Sequence, residues 1–193
     1  MCIRDSIIAE AGVNHNGRLD LALQLCNAAK DAGADAVKFQ TWKTEKIVTR
    51  NAELAVYQEN NISDKTKSQF KMLKELELSY DNFEVVKNHC DEIGIQFLST
   101  PDEIDSLDFL CNFNLPFIKL GSGDVTNIPF LRLVGSRHID VVLSTGMSYL
   151  GDVEIAYRTL IEAGAKSVSL LHCTTNYPCP CLLYTSDAAD DRI

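Results

Sequence analysis

No stretch of this chain stays apolar for the ~20 residues that a helical membrane span requires, and its first six residues, MCIRDS, lack the hydrophobic core of a secretory signal. Both absences lead us to expect a cytoplasmic protein with no membrane partner. Positive charge is scarce: 18 Lys and Arg stand against 27 Asp and Glu, a net charge of −9. A surface of that sign disfavours nucleic acid and anionic lipid, so small molecules are the expected partners. The seven cysteines are odd in number and scattered, and no C-x-x-C pair occurs among them. Reduced thiols are expected rather than a disulfide framework.

What the chain does have is length and rhythm. Its 193 residues, 46% of them hydrophobic, suffice for one sizeable core. Six short β-rich runs recur: IIAEAGVN, DAVKFQTW, IQFLST, FIKLGS, DVVLST and SVSLLHC. Helical stretches separate them. LDLALQLCNAAKDAGA places Leu21, Leu25, Ala28, Ala29 and Ala32 on one predicted face, with Gly33 at the end. YDNFEVVKNHCDEIG predicts a helix capped by Asp81 or Asn82, buried through Phe83, Val86 and Cys90 and stopped by Gly94. GDVEIAYRTLIEAGA repeats the design with Ile155, Leu160 and Ile161 inward and Gly164 last.

Strands that alternate with helices imply an α/β fold with a parallel sheet, open or closed into a (β/α)8 TIM barrel. Polar residues gather at the carboxyl ends of the strands: Glu10 and Asn14, Lys38 and Gln40, Ser99 and Thr100, Lys119 and Ser122, Ser144 and Thr145, His172 and Thr174. An open sheet concentrates function at one switch point, whereas a barrel draws on nearly every strand end. The pattern therefore favours a barrel, incomplete because six of eight βα units are visible. From Lys43 to Ser79 the chain is polar and helix-prone, too long for an ordinary loop; it predicts either a cover over the barrel mouth or a surface excursion without chemistry.

The two ends do not fit this rhythm. MCIRDS can be encoded by ATGTGTATAAGAGACAG followed by a pyrimidine, and the reverse complement of that element, read from its second base, encodes Cys-Leu-Leu-Tyr-Thr, the sequence of Cys181 to Thr185. One DNA element read in opposite orientations accounts for both, and it resembles a transposon-based sequencing adapter. Residues 1–6 and 181–193 are thus expected to be foreign, leaving 7–180 as a partial barrel.

The runs IIAEAGVNHNG, AVKFQTWKTEKIV, FLSTP, FIKLGSGDVTNIPFL, LSTGM and LLHCTTNYPCP, in this order and spacing, resemble the N-terminal barrel of the sialic acid synthase family, which includes N-acetylneuraminate, legionaminate and pseudaminate synthases. The resemblance implies a TIM barrel followed by an antifreeze-like domain, assembled as a homodimer. It also implies condensation of phosphoenolpyruvate with an N-acetylated sugar to a nine-carbon 2-keto acid, with release of phosphate and help from manganese or magnesium.

Carried over residue by residue, the resemblance assigns phosphoenolpyruvate to Lys38, Thr100, Lys119, Ser122 and Ser144, and the sugar to Gln40, Asp124 and Tyr177. Glu10 matches the catalytic glutamate that stabilises the cationic intermediate or moves the water proton. The chemistry suits these types: a phosphate and a carboxylate want fixed cations, hydroxyls and free backbone N–H groups, the last near Gly121 and Gly123. Read singly, each Ser or Thr reads first as a loop cap, and the alternative for Glu10 is a structural salt bridge with Lys38 or Lys119, a role compatible with catalysis. Lys38, inside a buried strand, demands a partner on any reading.

Two positions depart from the family pattern. GSGD stands where GSGE is usual, which shortens the reach of Asp124 by one methylene, and Thr175 stands where some members carry asparagine. His15 and His172 match positions that do not bind metal. The family's metal-binding histidines lie in the seventh and eighth strands, so no metal ligand is expected here, and His89 and His138 read as surface residues. The chain as it stands is expected to be inactive. The alternatives are another phosphoenolpyruvate-using 2-keto acid synthase barrel, disfavoured because Arg132, Arg137 and Arg158 fall away from strand ends, or a non-catalytic barrel-derived binding protein.

Overall fold

The computed structural model describes residues 6–52 and 68–175. Tyr177 and, Ser6 excepted, the two end segments lie outside the described residues. The chain divides into two compact units, Met1–Leu115 and Pro116–Ile193. All six expected strands are present, three in each unit, and every sheet pairing is parallel.

The first unit runs β1 (Ile8–Gly12), α1 (Leu19–Asp31), β2 (Ala36–Thr41), α2 (Thr44–Ile47), α3 (Gln69–Leu76), α4 (Tyr80–Ile93), β3 (Gln96–Pro101) and α5 (Ile104–Cys111). Its sheet has the order β1-β2-β3, with β2 central and buried along nearly its whole length. Alternation along the strands sorts the side chains by face. Val37, Phe39 and Phe97 point to the helices, where Phe39 meets Phe83 edge-on and stacks on Phe97 at 5.9 Å between centroids. Glu10, Lys38, Gln40 and Thr100 fall on the opposite face. Ser99, expected among the functional strand-end residues, instead shares the helix side with Thr41, their hydroxyls 2.7 Å apart and both buried.

The helices obey the predicted periods but not always the predicted phase. In α1 the buried residues are Ala22, Cys26 and Ala29, whereas Ala28 and Ala32 are exposed. Small side chains take the line of closest approach and the leucines flank it. Phe83, Val86 and Cys90 are buried in α4 as expected. Its cap, however, is Ser79, whose hydroxyl accepts from the Asn82 N–H, because the residue just outside the first turn is the one placed to do so. Gly94 closes α4 in the left-handed conformation, φ +70°, and the chain turns directly into β3.

Of the polar excursion after Lys43, α2 and α3 are described. The Thr44 N–H and hydroxyl both donate to Glu77, at 2.8 and 2.6 Å, so the two ends of the excursion are fastened together.

The second unit runs β4 (Ile118–Leu120), a 3-10 turn (Ser122–Asp124), α6 (Ile128–Gly135), β5 (Asp140–Ser144), α7 (Leu150–Ala163) and β6 (Ser167–Leu171). Its sheet has the order β4-β5-β6. α6 and α7 pack so closely that a Cβ on Gly135 would stand 2.6 Å from the Ala163 Cβ and 2.7 Å from the Leu160 carbonyl oxygen. This explains a second phase correction: Ala156 and Leu160 are buried in α7, while Ile155 and Ile161 are 55% and 40% exposed. β6 forms an edge, and its Leu170 and Leu171 are exposed. Among the described residues no helix is long and apolar enough to cross a membrane.

Candidate functional site

Two clusters of polar side chains stand at strand carboxyl ends, one in each unit. In the first, parallel register sets Lys38 beside Glu10 on one side and Leu98 on the other. The Lys38 ammonium lies 2.8 Å from Glu10 Oε2 and 3.0 Å from Oε1, and it donates to the Thr100 hydroxyl at 3.4 Å. Lys38 is 8% exposed and Thr100 5%, whereas the Glu10 side chain is 53% exposed. The cation is therefore held inside the sheet face while its counter-ion opens to solvent. Gln40 is half-buried and stands opposite Thr100 in register.

A bulge after Glu10 brings Gly12 close behind that carboxylate. A Cβ on Gly12 would meet Glu10 Oε1 at 3.3 Å. Beyond it, His15 is fully buried: its Nδ1 accepts from the Gly17 N–H at 3.1 Å, and its ring packs 6.0 Å from Phe39. Burial lowers the His15 pKa by disfavouring the charged ring. That is the setting of a packed core histidine.

In the second unit the Lys119 ammonium, 7% exposed, donates to Ser144 Oγ and to the Leu120 carbonyl, both at 2.6 Å. Ser122 Oγ accepts from the Gly146 N–H at 2.9 Å and approaches the Cys173 sulfur at 3.8 Å. The Cys173 thiol in turn donates to the Leu171 carbonyl at 3.4 Å. Burial pushes the Asp124 carboxyl up to about 6, partly offset by the Gly121 N–H and the charge of Lys119. Burial also acts to raise the Cys173 thiol, but hydrogen bonds from the Ser144 and Ser122 hydroxyls and the Thr145 and Gly146 N–H groups outweigh it and leave the thiol below its usual range.

The predicted residues thus fall into two groups: Glu10, Lys38, Gln40 and Thr100 share one face of the first sheet, and Lys119, Ser122, Asp124 and Ser144 cluster in the second unit. Sequence reading missed two members of the latter. Cys173 was seen only as a thiol, although it lies in the LLHCT run. Gly146 is required because a Cβ there would stand 3.0 Å from Ser122 Oγ and 2.8 Å from the Thr175 methyl. His89 bonds Asn27 across from α4 to α1, and His138 bonds the Gly164 carbonyl.

The sequence profile of the NeuB family matches residues 25–184. The chain belongs to the NeuB family. Two NeuB-type relatives show its range. The N,N'-diacetyllegionaminic acid synthase of Legionella pneumophila is 44% identical over 176 residues, which make up 89% of this chain and 49% of that protein. The N-acetylneuraminate-9-phosphate synthase of Drosophila melanogaster is 37% identical over 172 residues, 89% of this chain and 46% of that one. Among solved structures, N-acetylneuraminic acid synthetase from Leptospira borgpetersenii in complex with citrate superposes with a TM-score of 0.77 at 27% identity, over 94% of this chain and 59% of that one. The chain spans about half the length of the relatives it matches.

Proposed function

We propose that this NeuB-family chain is part of a TIM-barrel synthase that condenses phosphoenolpyruvate with an N-acetylated sugar aldehyde to a nine-carbon 2-keto acid. The observation that carries the reading is the repeated pairing of a buried lysine with a hydroxyl at a strand carboxyl end, Lys38 with Thr100 and Lys119 with Ser144. Buried ammonium groups are costly unless compensated, and both clusters suit a phosphorylated carboxylate: a fixed cation for charge, hydroxyl donors for direction. That the Leptospira relative was crystallised with citrate, a polycarboxylate, agrees with this.

Bond formation from C3 of phosphoenolpyruvate to the aldehyde carbon leaves positive charge at C2; water then adds there and phosphate departs. Glu10 is the residue for that centre, as a carboxylate facing the cation or taking the proton of the incoming water. The family resemblance assigns phosphoenolpyruvate to Lys38, Thr100, Lys119, Ser122 and Ser144, and the sugar to Gln40, Asp124 and Tyr177. Among the described residues no group of three or more His, Cys, Asp or Glu could hold a metal ion. These residues therefore do not fit the divalent cation that the family resemblance implies, and no step above passes through one.

The sugar class follows the similarity. Identity is 44% to the Legionella legionaminic synthase and 27% to the pseudaminic acid synthase of Campylobacter jejuni, which favours the legionaminate and neuraminate branch. The test is to extend the reading frame with its genomic continuation and assay phosphate release from phosphoenolpyruvate with N-acetylmannosamine and its 2,4-diacetamido-6-deoxy analogue. The extended chain should release phosphate with one of them and the present chain with neither. Release by the present chain, or by the extended chain only with a phosphorylated sugar lacking an acetamido group, would overturn the reading.

A further inference from the structure

In the first unit, α1 and α4 run side by side in the same direction and are tied at three points. Asn27 Oδ1 lies 2.8 Å from His89 Nε2, the Cys26 and Cys90 sulfurs lie 3.4 Å apart, and the Lys30 ammonium donates to the Gly94 carbonyl at 2.7 Å. The two polar ties lie within four residues of the thiols on each helix and help to fix the register there. Cys26 and Cys90 have no exposed surface and are 64 residues apart in sequence. A buried cysteine ordinarily behaves as a small hydrophobe, for which alanine or valine would serve. Two of them in direct S–H···S contact, with interhelical bonds close by, need close only from 3.4 Å to about 2.05 Å to become covalently linked.

We propose that Cys26 and Cys90 are a redox-active pair that forms a reversible disulfide on exposure to peroxide, stapling α1 to α4. Peroxide is suited to the position because it is little larger than water and reaches a buried sulfur through small local openings. The Cys26 sulfur attacks one oxygen of hydrogen peroxide, the O–O bond breaks, and the thiol proton leaves with the second oxygen as water. The resulting sulfenic acid is attacked by the Cys90 sulfur; the S–OH bond breaks, and the Cys90 proton departs with the hydroxyl as a second water. Two thiols and one peroxide thus give one disulfide and two waters, and a dithiol reductant reverses the step. The order of attack follows the contact: the Cys90 thiol donates to the Cys26 sulfur and draws the Cys26 thiol below its usual range, while that same bond and burial push the Cys90 thiol up.

The test is to treat the folded 193-residue chain with a few equivalents of hydrogen peroxide, alkylate the remaining thiols, digest without reductant and read the peptides by mass spectrometry, with thermal unfolding measured in parallel. A peptide joining Cys26 to Cys90, two hydrogens lighter than its parts, is expected, together with a melting temperature raised by about 5 °C or more, both reversed by dithiothreitol. In Cys90→Ser, Cys26 should stop at a sulfenic acid that dimedone traps. Recovery of Cys26 and Cys90 as free thiols while Cys173 is oxidised would overturn the proposal on the wild-type protein alone, and so would a link that leaves the melting temperature unchanged.

Discussion

The Lys38 ammonium stands 2.8 Å from Glu10 Oε2, directly across the β1-β2 register, and the lysine is buried while the glutamate is half open to solvent. The asymmetry sets what each substitution does. Glu10→Gln leaves a buried cation facing a neutral amide and should destabilise the chain by about 1–2 kcal/mol, less than for a fully buried pair because solvent already screens Glu10. Lys38→Met removes the buried charge itself and should cost under ~1 kcal/mol. Urea unfolding of the two single variants and the double variant checks both, and equal losses from the two single changes would contradict the asymmetry.

Asp124 carries a pH signature. Its folded pKa is raised to about 6 from an ordinary value of 3.8, so the folded state favours the neutral form. The full stability is then present below the unfolded value and declines as pH rises from there through about 6. Asp124→Asn should therefore gain on wild type by about 1–2 kcal/mol at pH 8 and by almost nothing at pH 4. Denaturant unfolding at the two pH values measures the difference, and a gain that is larger at low pH would have the wrong sign.

Gly135 and Gly146 make a contrasting pair. Gly135→Ala drives a methyl into the Ala163 side chain and the Leu160 backbone, and should cost about 1–3 kcal/mol through overpacking of α6 on α7. Gly146→Ala instead crowds the Ser122 hydroxyl and Thr175, and its effect should appear in anion binding more than in melting temperature. Phosphate or phosphoenolpyruvate titrations beside thermal melts of both variants separate the two outcomes.

Why some features were legible and others were not follows from what the chain encodes locally. Buried parallel strands are short apolar runs with polar residues in or just after their second halves, so all six stood out; the expected Glu10, Lys38 and Thr100 share one cluster, and Lys119 and Ser144 another. Helix phase was less secure. Hydrophobicity favoured Leu21 and Ile161, but close packing places Ala22, Cys26 and Ala156 on the buried line, because small side chains let backbones approach. Ser99 shows the remaining ambiguity: one residue before Thr100, it points to the opposite face and bonds Thr41. The roles of Cys173 and Gly146 depend on loops that meet only in three dimensions.

The most direct test of the account is calorimetric titration of phosphoenolpyruvate into the full chain and its Lys38→Met and Lys119→Met variants, with circular dichroism to confirm their folding. The account predicts weak saturable binding by the wild type, Kd on the order of 1 mM, and at least about tenfold weaker binding by each variant with an unchanged spectrum. Wild-type affinity in both variants, or no saturable binding by the folded wild-type chain, would contradict it.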